Sequence, residues 1–146
     1  MILEIIVLIF WTAPLCLFIH EGGHVLAARF CKAETSRLTI GSGPKWFSLS
    51  VCRVDIHIHT IYFHGAHSMN EKSIEFSKKE KAWISLGGPF LNGLVAFLFV
   101  QLPLDFSNHL LWFMLFNAYL AIVNSIPFRY RGKKSDGYCF FRSFLT

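Results

Sequence analysis

The first apolar run, Ile2 to Phe18, is nearly unbroken, and no Lys or Arg occurs before Arg29. At roughly 1.5 Å per residue, a helix over 2–28 is long enough to cross a hydrocarbon core of ~30 Å, with Pro14 tolerated as a kink. A cleaved signal peptide has a similar length, but this segment lacks a basic leading region. Two further apolar runs, 82–102 and 110–127, predict a second and a third span, parted by a break that holds Pro103 and Asp105. Between the first two spans the pattern changes. From about residue 37 to 66, β-branched and aromatic residues alternate with polar ones, punctuated by Gly41, Gly43, Pro44 and Gly65. That alternation predicts two or three short strands with turns. The stretch NEKSIEFSKKEKAW, 70–83, then predicts an amphipathic or interfacial helix leading into the second span. The expected architecture is a single membrane α-helical domain over 1–146, with three transmembrane helices and a small membrane-associated β segment between the first and second.

Charge gives this architecture a direction. Of the fourteen Lys and Arg, nine lie between Arg29 and Lys81 and five between Arg129 and Arg142. Three spans put both segments on one side, and the positive-inside rule makes that side cytosolic. The expectation is a multi-pass integral membrane protein, most simply of a bacterial cytoplasmic membrane, with its N-terminus and the 103–109 loop outside and its C-terminus cytosolic. The net charge of +5 is then explained by orientation, and no nucleic-acid partner is implied. With 53% hydrophobic and only 16% charged residues, the chain is also far from a soluble globular average. Cys16, Cys31, Cys52 and Cys139 show no paired spacing, so neither a disulfide framework nor a zinc ribbon is indicated.

Candidate chemistry sits inside the first span, in HEGGH, residues 20–24. Four residues apart on a helix, His20 and His24 share a face and can chelate one metal ion. Glu21 falls one step round, beside such a metal, where it can serve as general base to an activated water. HExxH also recurs by chance, but ionisable groups within a span are rare, costing ~2.5–3.5 kcal/mol each even on lenient insertion scales. Gly22 and Gly23 admit close approach of another backbone, whether a packed helix or an extended substrate. A tetrahedral zinc still needs a third protein ligand. Asp136 follows the third span, which ends at the same membrane face as His20 and His24, and it is the obvious candidate; the plainer reading is an Asp-Gly turn.

These elements together resemble the site-2 protease family of intramembrane zinc metalloproteases. HEGGH (20–24), GGPFLN (87–92), and Asn124 with Pro127 followed by Asp136 and Gly137 stand in the family's order, and IGSGPKWF resembles its β segment. The resemblance covers essentially the whole chain as a minimal three-span core. It implies one zinc per chain held by His20, His24 and Asp136, with Glu21 as the catalytic general base and acid. It implies further that Asn124 holds the substrate backbone or the oxyanion, and that Gly88, Pro89 and Asn92 shape the second span against the active site. The connection from Asn124 to Asp136 is longer than the family's usual one and carries the basic insert RYRGKKS.

The function expected is an intramembrane zinc metalloendopeptidase, a hydrolase cutting a peptide bond within or next to a transmembrane segment of a membrane protein or peptide precursor. Its partners would be that substrate and membrane lipid; the oligomeric state is left open. A different class stays open too: a catalytically silent membrane binding module, or a metal-handling membrane protein using a second polar cluster. Asp55, His57 and His59 alternate along one strand face, with His64 and His67 following, although a wet sheet face explains them more simply.

Overall fold

The computed structural model describes residues 2–102 and 108–145. The break expected around Pro103 and Asp105 lies outside the described residues. Helix α1 runs from Ile2 to Phe30. Just before Pro14 it widens into a π-helical turn over Leu8–Thr12, where the Ala13 amide bonds back to the Leu8 carbonyl. Proline has no amide hydrogen and its ring presses on the carbonyl four residues earlier, so a wider turn at this point relieves the clash. A left-handed Lys32, φ 63°, turns the chain away after the helix.

The β segment is longer and simpler than the alternation suggests. Two strands, β1 (Thr35–Val51) and β2 (Val54–Glu71), pair antiparallel in one hairpin. Both strands bend. The first part of β1 therefore lies between the two halves of β2, so that Leu38 faces Ile56 on one side and Ser68 on the other. The end of β2, from Ala66 to Glu71, pairs on one side only among the described residues. Leu38 and Ile40 bury against Val25 of α1, with Phe18, Val54, Ile58 and Tyr62 packed around them. This apolar contact fixes the sheet on the first helix.

Strand β2 reaches Glu71, so the helix expected from residue 70 starts later. Helix α2, Lys78–Gln101, opens on a capping box in which Ser77 and Glu80 exchange side-chain-to-backbone hydrogen bonds. Helix α3 covers Asn108–Ser125. The insert RYRGKKS folds into a short hairpin of β3 (Arg129–Tyr130) and β4 (Lys133–Lys134), and α4, Asp136–Leu145, closes the described chain. Asp136 therefore begins a helix and is not part of an isolated turn.

By length and apolarity, α1 and α2 can cross a membrane, and these are the two helices that qualify among the described residues. Only 17% and 22% of their most apolar windows are buried inside the protein, unlike the core helices of a soluble domain. The third expected span falls on α3, which is apolar but interrupted by Asn117 and Asn124. Where α1 meets α2, a Cβ on Gly23 would run into the backbone of Gly87 and Gly88. Glycine at this crossing lets the two backbones touch.

Candidate metal centre

The α1–α2 crossing sets His20 and His24 against Gly88. A Cβ at Gly88 would strike both imidazole rings, so this glycine makes the space in which they lie. Both histidines are nearly buried, at 5% and 8% exposure. Asp136 arrives from the far end of the chain. Its Oδ2 lies 3.0 Å from His20 Nε2 and its Oδ1 3.3 Å from His24 Nε2, while the two Nε2 atoms are 3.3 Å apart.

Hydrogen bonds on the other side of each ring decide which nitrogen carries the proton. His24 Nδ1 lies 2.7 Å from the Ile84 carbonyl, which can only accept, so Nδ1 carries the proton. The longer approach of the Gly88 amide to the same nitrogen, 3.3 Å, does not change this. His20 Nδ1 lies 2.7 Å from Asn92 Oδ1. The Asn92 amide nitrogen donates to the Cys16 carbonyl (3.2 Å) and to Asn117 Oδ1 (2.6 Å), which leaves its oxygen to accept from His20. Asn117 is anchored in turn on the Phe113 carbonyl and Cys16 Sγ. In their neutral form both imidazoles thus turn a bare Nε2 lone pair towards a carboxylate.

Three electron-pair donors this close repel one another unless a cation lies among them. Tetrahedral zinc with bonds of ~2.0–2.1 Å spaces its ligand atoms roughly 3.3–3.4 Å apart, which matches this set. Two neutral imidazoles, one carboxylate and a fixed outer partner for each ring suit zinc. Among the described residues, these three form the one group of His, Cys, Asp or Glu close enough to hold an ion. Asp55, His57 and His59 do not converge. Asp55 accepts from Ser50 and His59 bonds to the Gly43 carbonyl.

Ser135 holds Asp136 in place. Its buried hydroxyl accepts from the amides of Phe128 and Tyr138 and donates to the Ile126 carbonyl. One side chain thus closes the RYRGKKS loop and caps the first turn of α4. Gly137 next to it touches the backbone of Ser125 and Ile126, where a Cβ would not fit. The long connection is absorbed by the small hairpin, and Asp136 still reaches the histidines.

The remaining predicted residues are placed differently. Glu21 accepts a hydrogen bond from Ser68 of β2 at 2.7 Å, so its carboxylate is turned towards the sheet. Asn124 donates to the Leu120 carbonyl of its own helix at 3.0 Å. Pro89 is buried inside α2 beside Gly88.

The conserved-domain description "Peptidase family M50" matches residues 7–104 of the 146, a stretch that holds both HEGGH and GGPFLN. The chain belongs to peptidase family M50. The match stops short of Asp136, so the place of the aspartate in an M50 centre rests on the geometry above. A protein of Fusobacterium nucleatum named "Putative zinc metalloprotease" is 28% identical over 105 residues. That alignment takes in 66% of this chain but only 31% of the relative, so the chain spans about a third of its length. Asn117 was missed by sequence reasoning. The signal was present, as an amide in the middle of the apolar run LWFMLFNAYLAIV, where a polar group calls for a partner.

Proposed function

We propose that this M50 protein is a zinc metalloendopeptidase that hydrolyses a peptide bond within or next to a transmembrane segment. The observation that carries the proposal is the convergence of two lone-pair nitrogens and a carboxylate on helices whose outer surfaces are apolar. His20, His24 and Asp136 would hold one zinc per chain. Zinc bound there would supply Lewis acidity, making water ionisable near neutral pH and drawing electron density from a carbonyl oxygen. Glu21 takes the proton from the attacking water on its carboxylate and passes it to the leaving amine. For this it exchanges its hydrogen bond with Ser68 for one to the water. Asn124 is proposed to swing from the Leu120 carbonyl to the substrate backbone. Gly88, Pro89 and Asn92 shape and support the centre from α2.

A helical substrate must first unwind, because its carbonyls are otherwise engaged in backbone hydrogen bonds. The one-sided end of β2 can accept the unwound stretch as an added strand, and Ser68 places that edge next to Glu21. In the proposed topology α3 crosses as a third span, the N-terminus lies outside and α4 lies in the cytosol. The experiment is metal analysis of the purified protein beside its Asp136→Ala variant, with cleavage of a membrane-anchored peptide as the second readout. About one zinc per chain, lost together with cleavage in the variant, is expected. A variant that keeps full zinc and activity would remove Asp136 from the centre.

A further inference from the structure

A cleft lies between α2 and α4, with neither histidine in its lining and a volume of about 480 Å3. Lys78 and Lys81 from the start of α2, Lys134 from β4 and Arg142 from α4 all line it. Four cations gathered from three separate elements around one opening make it strongly attractive to an anion. Two carboxylates lie near the two lysines that α2 contributes. Glu75 pairs with Lys81 at 2.6 Å, but its side chain is 86% exposed, where such a pair is screened. Glu80 is turned to Lys72 at 2.8 Å and to the Ser77 amide. The positive end of the α2 dipole points the same way. A phosphate group, with several oxygens for a guanidinium fork and ammonium point charges, is the matching ligand chemistry.

The surroundings point to a lipid as the source of that phosphate. On α4, the residues flanking Arg142 include Phe141 and Phe144, 53% and 57% exposed, and Leu145 is 85% exposed. A short helix with bare aromatic residues beside cations, at the polar end of an apolar helix, has the make-up of an interfacial element at headgroup depth.

We propose that this cleft binds the phosphate headgroup of an anionic membrane lipid and so ties α4 to α2. Helix α4 begins at Asp136 and α2 carries Gly88, so the bound headgroup would brace the aspartate against the two histidines. Lipid binding stands independently of the proposed peptidase; only the bracing of the metal rests on it.

The test uses the full chain in nanodiscs of phosphatidylcholine, with or without phosphatidylglycerol. Lipid retained after stripping is read by native mass spectrometry, and zinc release is timed against a chelator. Phosphatidylglycerol should be retained preferentially, and zinc should leave several-fold more slowly when it is present. The pair Lys78→Gln with Arg142→Gln should weaken that retention roughly tenfold or more. Lys79→Gln with Arg131→Gln, which removes equal charge outside the cleft, should not. Lys78→Arg with Arg142→Lys, which keeps the charge, should retain the lipid and guards against a folding artefact. Equal losses in the two Gln pairs would reduce the effect to general surface attraction and overturn the site. Inorganic phosphate that slows zinc release in phosphatidylcholine discs as well as phosphatidylglycerol does, without lipid retention, would overturn the lipid assignment. Specific lipid retention with unchanged zinc release would keep the site and overturn the brace. A protein that never binds zinc would instead sink the peptidase reading, while lipid retention would still decide the cleft.

Discussion

Ser68 on β2 donates its hydroxyl hydrogen to Glu21 Oε2 on α1 at 2.7 Å. The carboxylate next to the first histidine is thereby tied to the part of the sheet whose outer edge is unpaired among the described residues. A strand added at that edge would lie beside the group proposed to handle its proton.

Glu21→Gln should therefore lower cleavage by at least ~10²–10⁴-fold while zinc stays bound, because the base is lost and the ligands remain. Ser68→Ala should be milder, about tenfold on kcat with unchanged zinc content, as one orienting hydrogen bond is removed. Metal analysis and cleavage assays on the same preparations separate the two effects. Zinc loss in Glu21→Gln would reassign the residue as a ligand.

Asn92 is completely buried and holds His20 through Nδ1. Asn92→Ala should weaken zinc binding by about 10–100-fold, the usual effect of removing an outer partner of a ligating histidine. Asn117→Ala touches no imidazole and acts through Asn92, so its effect on zinc should be smaller. Chelator competition gives both affinities, and equal losses would count against this chain of contacts.

Gly88 and Gly23 serve different ends and should fail differently. A methyl at Gly88 displaces the imidazoles, so Gly88→Ala should lose zinc while thermal unfolding shifts little. A methyl at Gly23 meets backbone on α2, so Gly23→Ala should lower the unfolding temperature of even the zinc-free protein. The reverse pattern would mean that the rings have room at Gly88 or that the crossing can open.

The proposed topology is checked by single-cysteine labelling in a background without the four native cysteines. Probes at Ser73 and Lys133 should react from the same side of the membrane, and one at Ser107 from the opposite side. Labelling of Ser73 and Lys133 from opposite sides would remove α3 as a span.

The helix with both histidines was legible because a four-residue spacing in an apolar run has few alternative placements. The length of the β segment was not. Its turn is made by Cys52 and Arg53, both in left-handed conformations at φ 50° and 65°. Glycine or asparagine normally marks such a turn, so the pattern showed no hairpin there. Helix α4 was hidden because Asp-Gly after a basic run looks like a turn. What makes a helix of it is Ser135, whose cap depends on contacts with Ile126 and Phe128 that no local pattern shows. The start of α2 could have been found from Ser77 and Glu80, three apart before an apolar run.

His20 and Asp136 meet across 116 residues of chain. During synthesis, α1 leaves the ribosome well before residue 136 has been made. A growing chain therefore carries two imidazoles with no carboxylate to complete them, and α4 must emerge and dock before all three donors face each other. The order of translation would then act as a safety catch, leaving the proposed peptidase centre incomplete until α4 has docked.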